Sequence, residues 1–119
     1  MNANDLMSLL ESKKERRCEK VTHLGLDHQP IIYEITVAEK AEINARLKAC
    51  EEDDEASDLV VIETIIKSMC GWDEAGEVTS EHINQFKTIY SAAVITDLFL
   101  CVSNFNYLGD KGITTAKKN

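Results

Sequence analysis

Residues 91–105, SAAVITDLFLCVSNF, decide the fold, because they hold the most apolar periodic pattern in the chain. Their large side chains recur every three or four residues, which is the spacing of one face of an α-helix. Ser91 is a typical N-cap residue. The pattern predicts a helix that begins after Ser91 and forms the centre of the core, with an inward stripe of Val94, Ile95, Leu98, Phe99, Val102 and Phe105.

Further helices are predicted upstream of this one. Thr36 and Glu39 have the spacing of a capping box, so a helix should begin there and run to about residue 50. A second helix covers about 56–70, and a third begins after Thr79 or Ser80. The core stripes of these helices are Ile43, Leu47 and Cys50, then Leu59, Ile62, Ile65, Ile66 and Met69, and finally Ile83, Phe86 and Ile89.

The segment before the helices has a different pattern. β-Branched and aromatic residues near 19–24 and 31–36 flank a polar stretch with glycine and the single proline, which is typical of a β-hairpin. Two strands alone are marginal in water and need a surface to pack on. The predicted fold class is therefore α+β, mainly α, with a short N-terminal β-hairpin packed on a bundle of about four helices.

The chain divides into three parts. Residues 1–17 form a short amphipathic helix or arm, residues 18–108 a single globular domain, and residues 109–119 a flexible tail without apolar periodicity. The arm is too short to be a stable helix by itself in water. Docking on the domain, fraying and pairing with a partner all remain open for it.

The charge distribution excludes two classes of partner. The net charge is −8; residues 1–20 contribute +1 and residues 110–119 contribute +2, so the middle of the chain carries −8 − 3 = −11. Such a surface repels nucleic acid and anionic lipid. The longest apolar segment, 89–102, is about 14 residues and contains Asp97, whereas a membrane span needs about 20. We expect a cytoplasmic protein that binds neither nucleic acid nor membrane.

The sequence offers little raw material for catalysis or metal binding. The four cysteines, at positions 18, 50, 70 and 101, form no C-x-x-C pair, and the apolar runs around the last three predict buried, reduced thiols. The acidic run 51–55 lacks the spacing of a calcium loop and is typical of a solvated connection. No nucleophile or phosphate-loop motif accompanies His23, His28 and His82. We expect no catalytic residues, no metal and no cofactor.

Several features together resemble a known family. A capped helix follows a short β segment at 31–39, the loop at 71–81 reads GWDEAGEVTSE, and the chain closes with Asn104-Phe105-Asn106-Tyr107-Leu108-Gly109 and Lys117-Lys118-Asn119. Across about residues 30–119 this order is similar to the tail assembly chaperones of long-tailed, siphovirus-type bacteriophages. Tyr107 departs from the family, since many members have glycine after the asparagine.

The resemblance implies a function through binding. Such a chaperone binds the tape measure protein and keeps it soluble in the host cytoplasm before the tail tube polymerises, and it is not part of the mature virion. In the family, ribosomal frameshifting near the end of the gene gives a longer form that recruits the tail tube protein. Lys117-Lys118-Asn119 can be encoded by a slippery A-AAA-AAC heptamer.

The spare apolar width of the helices predicted at 56–70 and 91–105 favours a partner face or a homo-oligomer. For the partner face we predict Val60, Val61, Ile65, Phe99 and Val102. The alternative hypothesis is a small acidic phage regulatory or adaptor protein, or a DNA mimic, that acts by protein binding. Five of the sixteen acids of the middle segment cluster at 51–55 instead of spreading along one surface, which favours the chaperone.

Overall fold

The computed structural model of the chain describes residues 1–12 and 15–108. It confirms the predicted class, because it is mainly helical with one short antiparallel sheet near the N-terminus. In chain order the elements are α1 (Ala3–Ser12), β1 (Cys18–Lys20), β2 (Ile31–Tyr33), α2 (Val37–Ala49), α3 (Asp54–Cys70), α4 (Ser80–Ile89) and α5 (Ala92–Asn106). The tail at 109–119, and with it Lys117-Lys118-Asn119, lies outside the described residues.

The hairpin is shorter than the predicted strands 19–24 and 31–36. β1 and β2 pair from Cys18 opposite Tyr33 to Lys20 opposite Ile31. One further backbone hydrogen bond lies beyond each end of the ladder, from the Val21 N–H to the Pro30 carbonyl and from the Glu34 N–H to the carbonyl of residue 17. The strands stop there because Pro30 has no N–H to donate and the chain turns next to begin α2.

The helix starts follow the predicted caps. The Thr36 hydroxyl accepts from the Glu39 N–H while the Glu39 carboxylate accepts from the Thr36 N–H, which completes the capping box of α2. Thr79 and Ser91 cap α4 and α5. α3 begins two residues earlier than predicted, because Asp53 within the acidic run is its N-cap and accepts from the Ala56 N–H.

The core lies where α3 and α5 cross the hairpin, α2 and α4. Ile65, Leu98 and Val102 are completely inaccessible to solvent, so α5 is part of the core as predicted. The central element is α3, however, because α3 is the one that contacts β2, α2, α4 and α5. Leu98 belongs to a cluster with α3 and α4, and Val102 to a cluster with the hairpin and α2. α5 therefore joins both halves of the core, whose buried members are Val21, Ile32, Ile43, Val102 and Leu108 on one side and Ile62, Ile65, Ile83, Phe86 and Leu98 on the other.

The end of α5 is fastened to the segment that follows β2. The buried Asn106 side chain accepts a hydrogen bond from the Ile35 N–H at 2.8 Å and donates one to the Val102 carbonyl at 3.0 Å. The next residue, Tyr107, has the left-handed backbone conformation with φ of 57°. Tyr107 therefore ends the helix in a conformation that glycine adopts without steric cost.

The prediction that cysteines 50, 70 and 101 are buried is wrong for Cys70, which is exposed; Cys50 and Cys101 are half-buried. The core stripe of α3 passes through Met69, and Cys70 lies about 100° further round the helix, on the solvent side. All four thiols are free.

α1 stands apart from the rest of the fold. It covers ten residues of the predicted arm at 1–17, and none of them is buried. Of the three arrangements that the sequence left open for the arm, the structure has an ordered helix that is not docked on the domain. Among residues 1–12 and 15–108, no individual helix is long and apolar enough to cross a bilayer, and only the pair α4 and α5, bent by 114°, meets that test jointly.

Candidate functional site

A cleft of about 450 Å³ opens between α3, the end of α4 and the first half of α5. We call it the α3–α5 cleft. Its lining residues are mostly apolar and come from three consecutive elements; they are Asp58, Val61, Ile62, Lys87, Tyr90, Ala92, Ile95, Thr96, Phe99 and Leu100.

The sharp corner between α4 and α5 produces the cleft. Tyr90 ends α4 in an extended conformation, and Ser91 caps α5 immediately afterwards, so α5 leaves at 114° to α4. The Tyr90 ring packs edge-on against Phe86, one turn earlier in α4, with ring centroids 5.1 Å apart, and both side chains pack in the core cluster with α3. The cleft lies between residues 58–62 of α3 and residues 92–100 of α5.

The side chains that line the cleft become more exposed to solvent from its floor to its rim. Ile62 at its floor is buried, whereas Val61, Ile95 and Phe99 are half-buried and Leu100 is 52% exposed. Exposed Asp58 and Lys87 place one charge of each sign among the lining residues. An apolar groove with a charged rim is the form that accepts the apolar face of an amphipathic helix.

The structure separates the five predicted partner-face residues into two groups. Val61 and Phe99 line the α3–α5 cleft together. Ile65 and Val102 are fully buried and Val60 is only 7% exposed, so these three belong to the core and cannot contact a partner in this structure.

Sequence reasoning missed Tyr90, Ile95 and Leu100 as lining residues. Helical periodicity places Ile95 in the predicted core stripe, and it predicts nothing for Tyr90, which lies in the corner between α4 and α5. Leu100 carried a usable signal, because it is a large apolar residue outside the predicted core stripe of its helix.

A second depression, on the hairpin side of α5, brings a thiol and an imidazole together. The Cys101 sulfur lies 3.7 Å from Nε2 of His23, beside Glu19 and Asn104. Burial raises the pKa of the Cys101 thiol, and the negative charges of Asp97 and Glu19 raise it further. These surroundings favour the protonated thiol, the opposite of an activated cysteine nucleophile.

Metal coordination needs more ligands than this pair supplies. Within the two described ranges, no three side chains of His, Cys, Asp or Glu are grouped so that they could hold a metal ion. The predicted metal-free, cofactor-free character stays a prediction.

A cluster of charges, which we call the Arg16 cluster, fixes the base of the N-terminal arm. The Arg16 guanidinium donates to both carboxylate oxygens of Glu39, at 2.6 and 2.9 Å, to both of Asp73, at 2.8 and 3.1 Å, and to the Glu34 carbonyl at 3.0 Å. The Arg16 side chain is only 10% exposed. The hydrogen bonds to Glu39 and Asp73 raise the pKa of Arg16 above its ordinary value. The arm is thus tied to the start of α2 and to the loop after α3.

Compared with protein-family models, curated proteins and solved structures, the chain matches none of them.

Proposed function

We propose that this protein is a phage tail assembly chaperone, and that its α3–α5 cleft binds an amphipathic helix of the tape measure protein and keeps that protein soluble before the tail tube polymerises. The observation that carries the proposal is the apolar surface of the cleft. Leu100 is exposed there, and Val61, Ile95 and Phe99 are half-buried beside buried core residues. The resemblance at 30–119 supplies the identity of the partner.

The dimensions of the cleft suit a short stretch of helix. From Ala92 to Leu100, α5 advances about 12 Å, which is about two helical turns. Two turns present two or three apolar anchors at spacings of three and four residues. Each contact is therefore small and individually weak. A long helical partner offers many such stretches, so several chaperone molecules can cover it.

The surface charge supports the same role. The middle of the chain carries −11, and the acids at 51–55 include the N-cap and first turn of α3, near Asp58 in the cleft. Negative charge around an apolar cleft keeps the complex soluble and attracts basic segments of a partner.

Two further parts of the proposal concern the longer form and the location. A ribosomal frameshift at Lys117-Lys118-Asn119 would produce a longer form that binds the tail tube protein. The nucleotide sequence tests this directly, because an AAG codon for Lys118 removes the A-AAA-AAC heptamer. We place the protein in the host cytoplasm and outside the mature virion; its detection by mass spectrometry in purified phage particles would contradict that.

Co-expression with the tape measure protein tests the binding site. Val61→Asp places a charge in the cleft, and Val37→Asp is the matched control, because Val37 is 86% exposed at the start of α2. We expect Val61→Asp to reduce co-purification of soluble tape measure protein and Val37→Asp to leave it unchanged. Leu100→Asp repeats the test at a side chain that is already half exposed, which protects the result from a folding defect.

Normal co-purification by both folded cleft variants would overturn the cleft as the binding site. Failure of the unmodified protein to bind or solubilise the tape measure protein would overturn the chaperone function. If the protein is instead a regulatory or adaptor protein, the unmodified protein should not bind the tape measure protein. In that case no tail gene should lie beside its gene either.

A further inference from the structure

The face of α3 that lines the α3–α5 cleft continues past the cleft as an acidic surface. Asp58, Val61 and Ile62 line the cleft. Residues three and four positions apart lie on the same face of a helix, and Asp54 and Glu55 stand four and three positions before Asp58. All three acids are exposed. The α3 wall is therefore apolar inside the cleft and negatively charged beyond it, toward the N-terminus of α3.

The Asp58 carboxylate has no part in capping α3. Asp53 is the N-cap, and Asp54 and Glu55 lie in the first turn, where negative charge is favourable beside the partial positive charge of a helix N-terminus. That effect fades within the first turn, and Asp58 lies in the second. In the part of the chain that the structure describes, no ion pair involves Asp58. Its carboxylate is thus available to a molecule that enters the cleft.

Lys87 offsets these acids only in part. It is the one base among the residues that line the cleft, and it comes from α4. Together with Asp54, Glu55 and Asp58 it gives the cleft and its acidic end a net charge of 1 − 3 = −2. Charge complementarity therefore favours an occupant that carries positive charge next to its apolar side chains.

The rise of the helix sets where that positive charge must lie. Asp58 is four residues, or about 6 Å, from Ile62, and Asp54 is about 6 Å further along α3. A helix that lies in the cleft alongside α3 has the same rise per residue. A side chain about four residues beyond its last apolar anchor comes opposite Asp58, and one about eight residues beyond comes opposite Asp54. This relation holds for either direction of the bound helix.

We infer that the α3–α5 cleft selects helices in which lysine or arginine lies on the same face as the apolar anchors, about one and two turns beyond the last of them, and that Asp58 is the residue that reads this pattern. The inference rests on the proposed function and specifies the sequence pattern of its partner. The apolar anchors supply affinity, and the acids select among apolar helices.

Three synthetic peptides test the pattern. Each is a helix of about 18 residues with the same leucines as apolar anchors and with blocked ends. The first carries two lysines on the leucine face, one and two turns beyond the last leucine, and the second carries them on the opposite face. The third has glutamates in place of the lysines of the first. Because the first two peptides have identical composition, a difference between them depends only on where the lysines lie.

Fluorescence anisotropy of the labelled peptides measures their binding to the full chain. We expect the first peptide to bind about three- to tenfold more tightly than the second at low salt, and the third to bind more weakly than both. The preference for the first peptide should shrink in about 0.5 M NaCl, because the acids of α3 are exposed and salt screens them.

The Asp58→Lys variant tests the residue itself. Glu42→Lys is the matched control, because Glu42 is an exposed acid of α2, which contributes no residue to the cleft, and both substitutions change the net charge equally. We expect Asp58→Lys to abolish the preference for the first peptide over the second, and Glu42→Lys to keep it. Circular dichroism of each variant verifies that the domain remains folded.

Two results would overturn the inference. One is an unmodified protein that binds the first peptide no better than the second, or binds neither; the other is a preference that survives in folded Asp58→Lys protein. The proposed function is measured separately, by co-purification of the tape measure protein. A protein that co-purifies with the tape measure protein and does not distinguish the peptides keeps the chaperone function and loses only the charge pattern.

Discussion

Replacement of Arg16 by methionine tests how the N-terminal arm is attached to the domain. Methionine keeps much of the aliphatic length of the side chain but removes the guanidinium that donates to Glu39, Asp73 and the Glu34 carbonyl. The Arg17→Met variant is a matched control, because Arg17 is the adjacent residue and pairs with Glu34 through a side chain that is 82% exposed.

The size of the expected loss in stability follows from how deeply Arg16 and its partners are buried. Removal of one partner from a buried ion pair costs about 3–5 kcal/mol, whereas exposed pairs contribute about 0–1 kcal/mol. Arg16 is 10% exposed and Glu39 22%, but Asp73 is 51% exposed, so the cluster lies between these limits. We expect Arg16→Met to lower the free energy of unfolding by about 3 kcal/mol and Tm by about 10 °C. Arg17→Met should leave both unchanged within error.

The effect should depend on pH with a definite sign. Burial raises the pKa of Glu39, but hydrogen bonds from Arg16 and Thr36 outweigh burial and leave its pKa below the ordinary 4.5. A pKa that is lower in the folded state stabilises the protein above pH 4.5, and this stabilisation is lost as the pH falls through the folded pKa. The difference between Arg16→Met and the unmodified protein should therefore be largest near pH 7 and shrink below pH 4.

Urea unfolding, followed by circular dichroism at pH 7 and pH 3.5, measures these quantities. An Arg16→Met variant as stable as Arg17→Met would refute the reasoning about burial. A loss of stability that is equal at both pH values would refute the assignment of Glu39 as the partner.

Further predictions concern the end of α5 and the thiols. Asn106→Ala should lower the unfolding free energy by about 1–3 kcal/mol in the same urea assay, because the Ile35 N–H loses its acceptor. Tyr107→Gly should raise it by up to about 1 kcal/mol, since glycine adopts a φ of 57° without the cost that tyrosine bears; a loss of stability would show that the tyrosine side chain contributes more than the backbone strain. Iodoacetamide at pH 8, read by mass spectrometry, should modify exposed Cys18 and Cys70 before Cys101, whose pKa is raised by burial.

The helices were predictable from the sequence because their signals are local. The hydroxyls of Thr36, Thr79 and Ser91 cap helices within three residues of themselves, so the starts of α2, α4 and α5 can be read without knowledge of the tertiary structure. The burial of α5 followed from the length of its apolar stripe, but the central position of α3 did not.

The strand limits and the burial of Cys70 were not predictable by the same means. The pairing of β1 with β2 stops where Pro30 and the turn into α2 intervene. The β-branched and apolar residues at 22–24 and 34–36 extend the strand-like pattern past these points. Cys70 lies beside the core stripe of α3, and only the position of the neighbouring elements decides which side of that stripe faces solvent.

The candidate site was predictable only in part for a related reason. The sequence identifies which helices are apolar on more than one face, and α3 and α5 do line the cleft. The angle at Tyr90 decides how far α5 covers α3, and that angle separates buried Ile65 and Val102 from the cleft residues Val61 and Phe99. Interhelical angles depend on the whole core, so periodicity alone could not make this division.

The hydrogen bond from Ile35 to Asn106 spans 71 positions of the chain. A ribosome that adds about 5–20 residues per second needs about 4–14 s to make the intervening segment. Throughout that time Ile32 and Val21 have been synthesised, while Val102 and Leu108, which complete their cluster, have not. For several seconds, therefore, each newly made copy has the apolar residues of its hairpin without the partners that bury them in the complete fold.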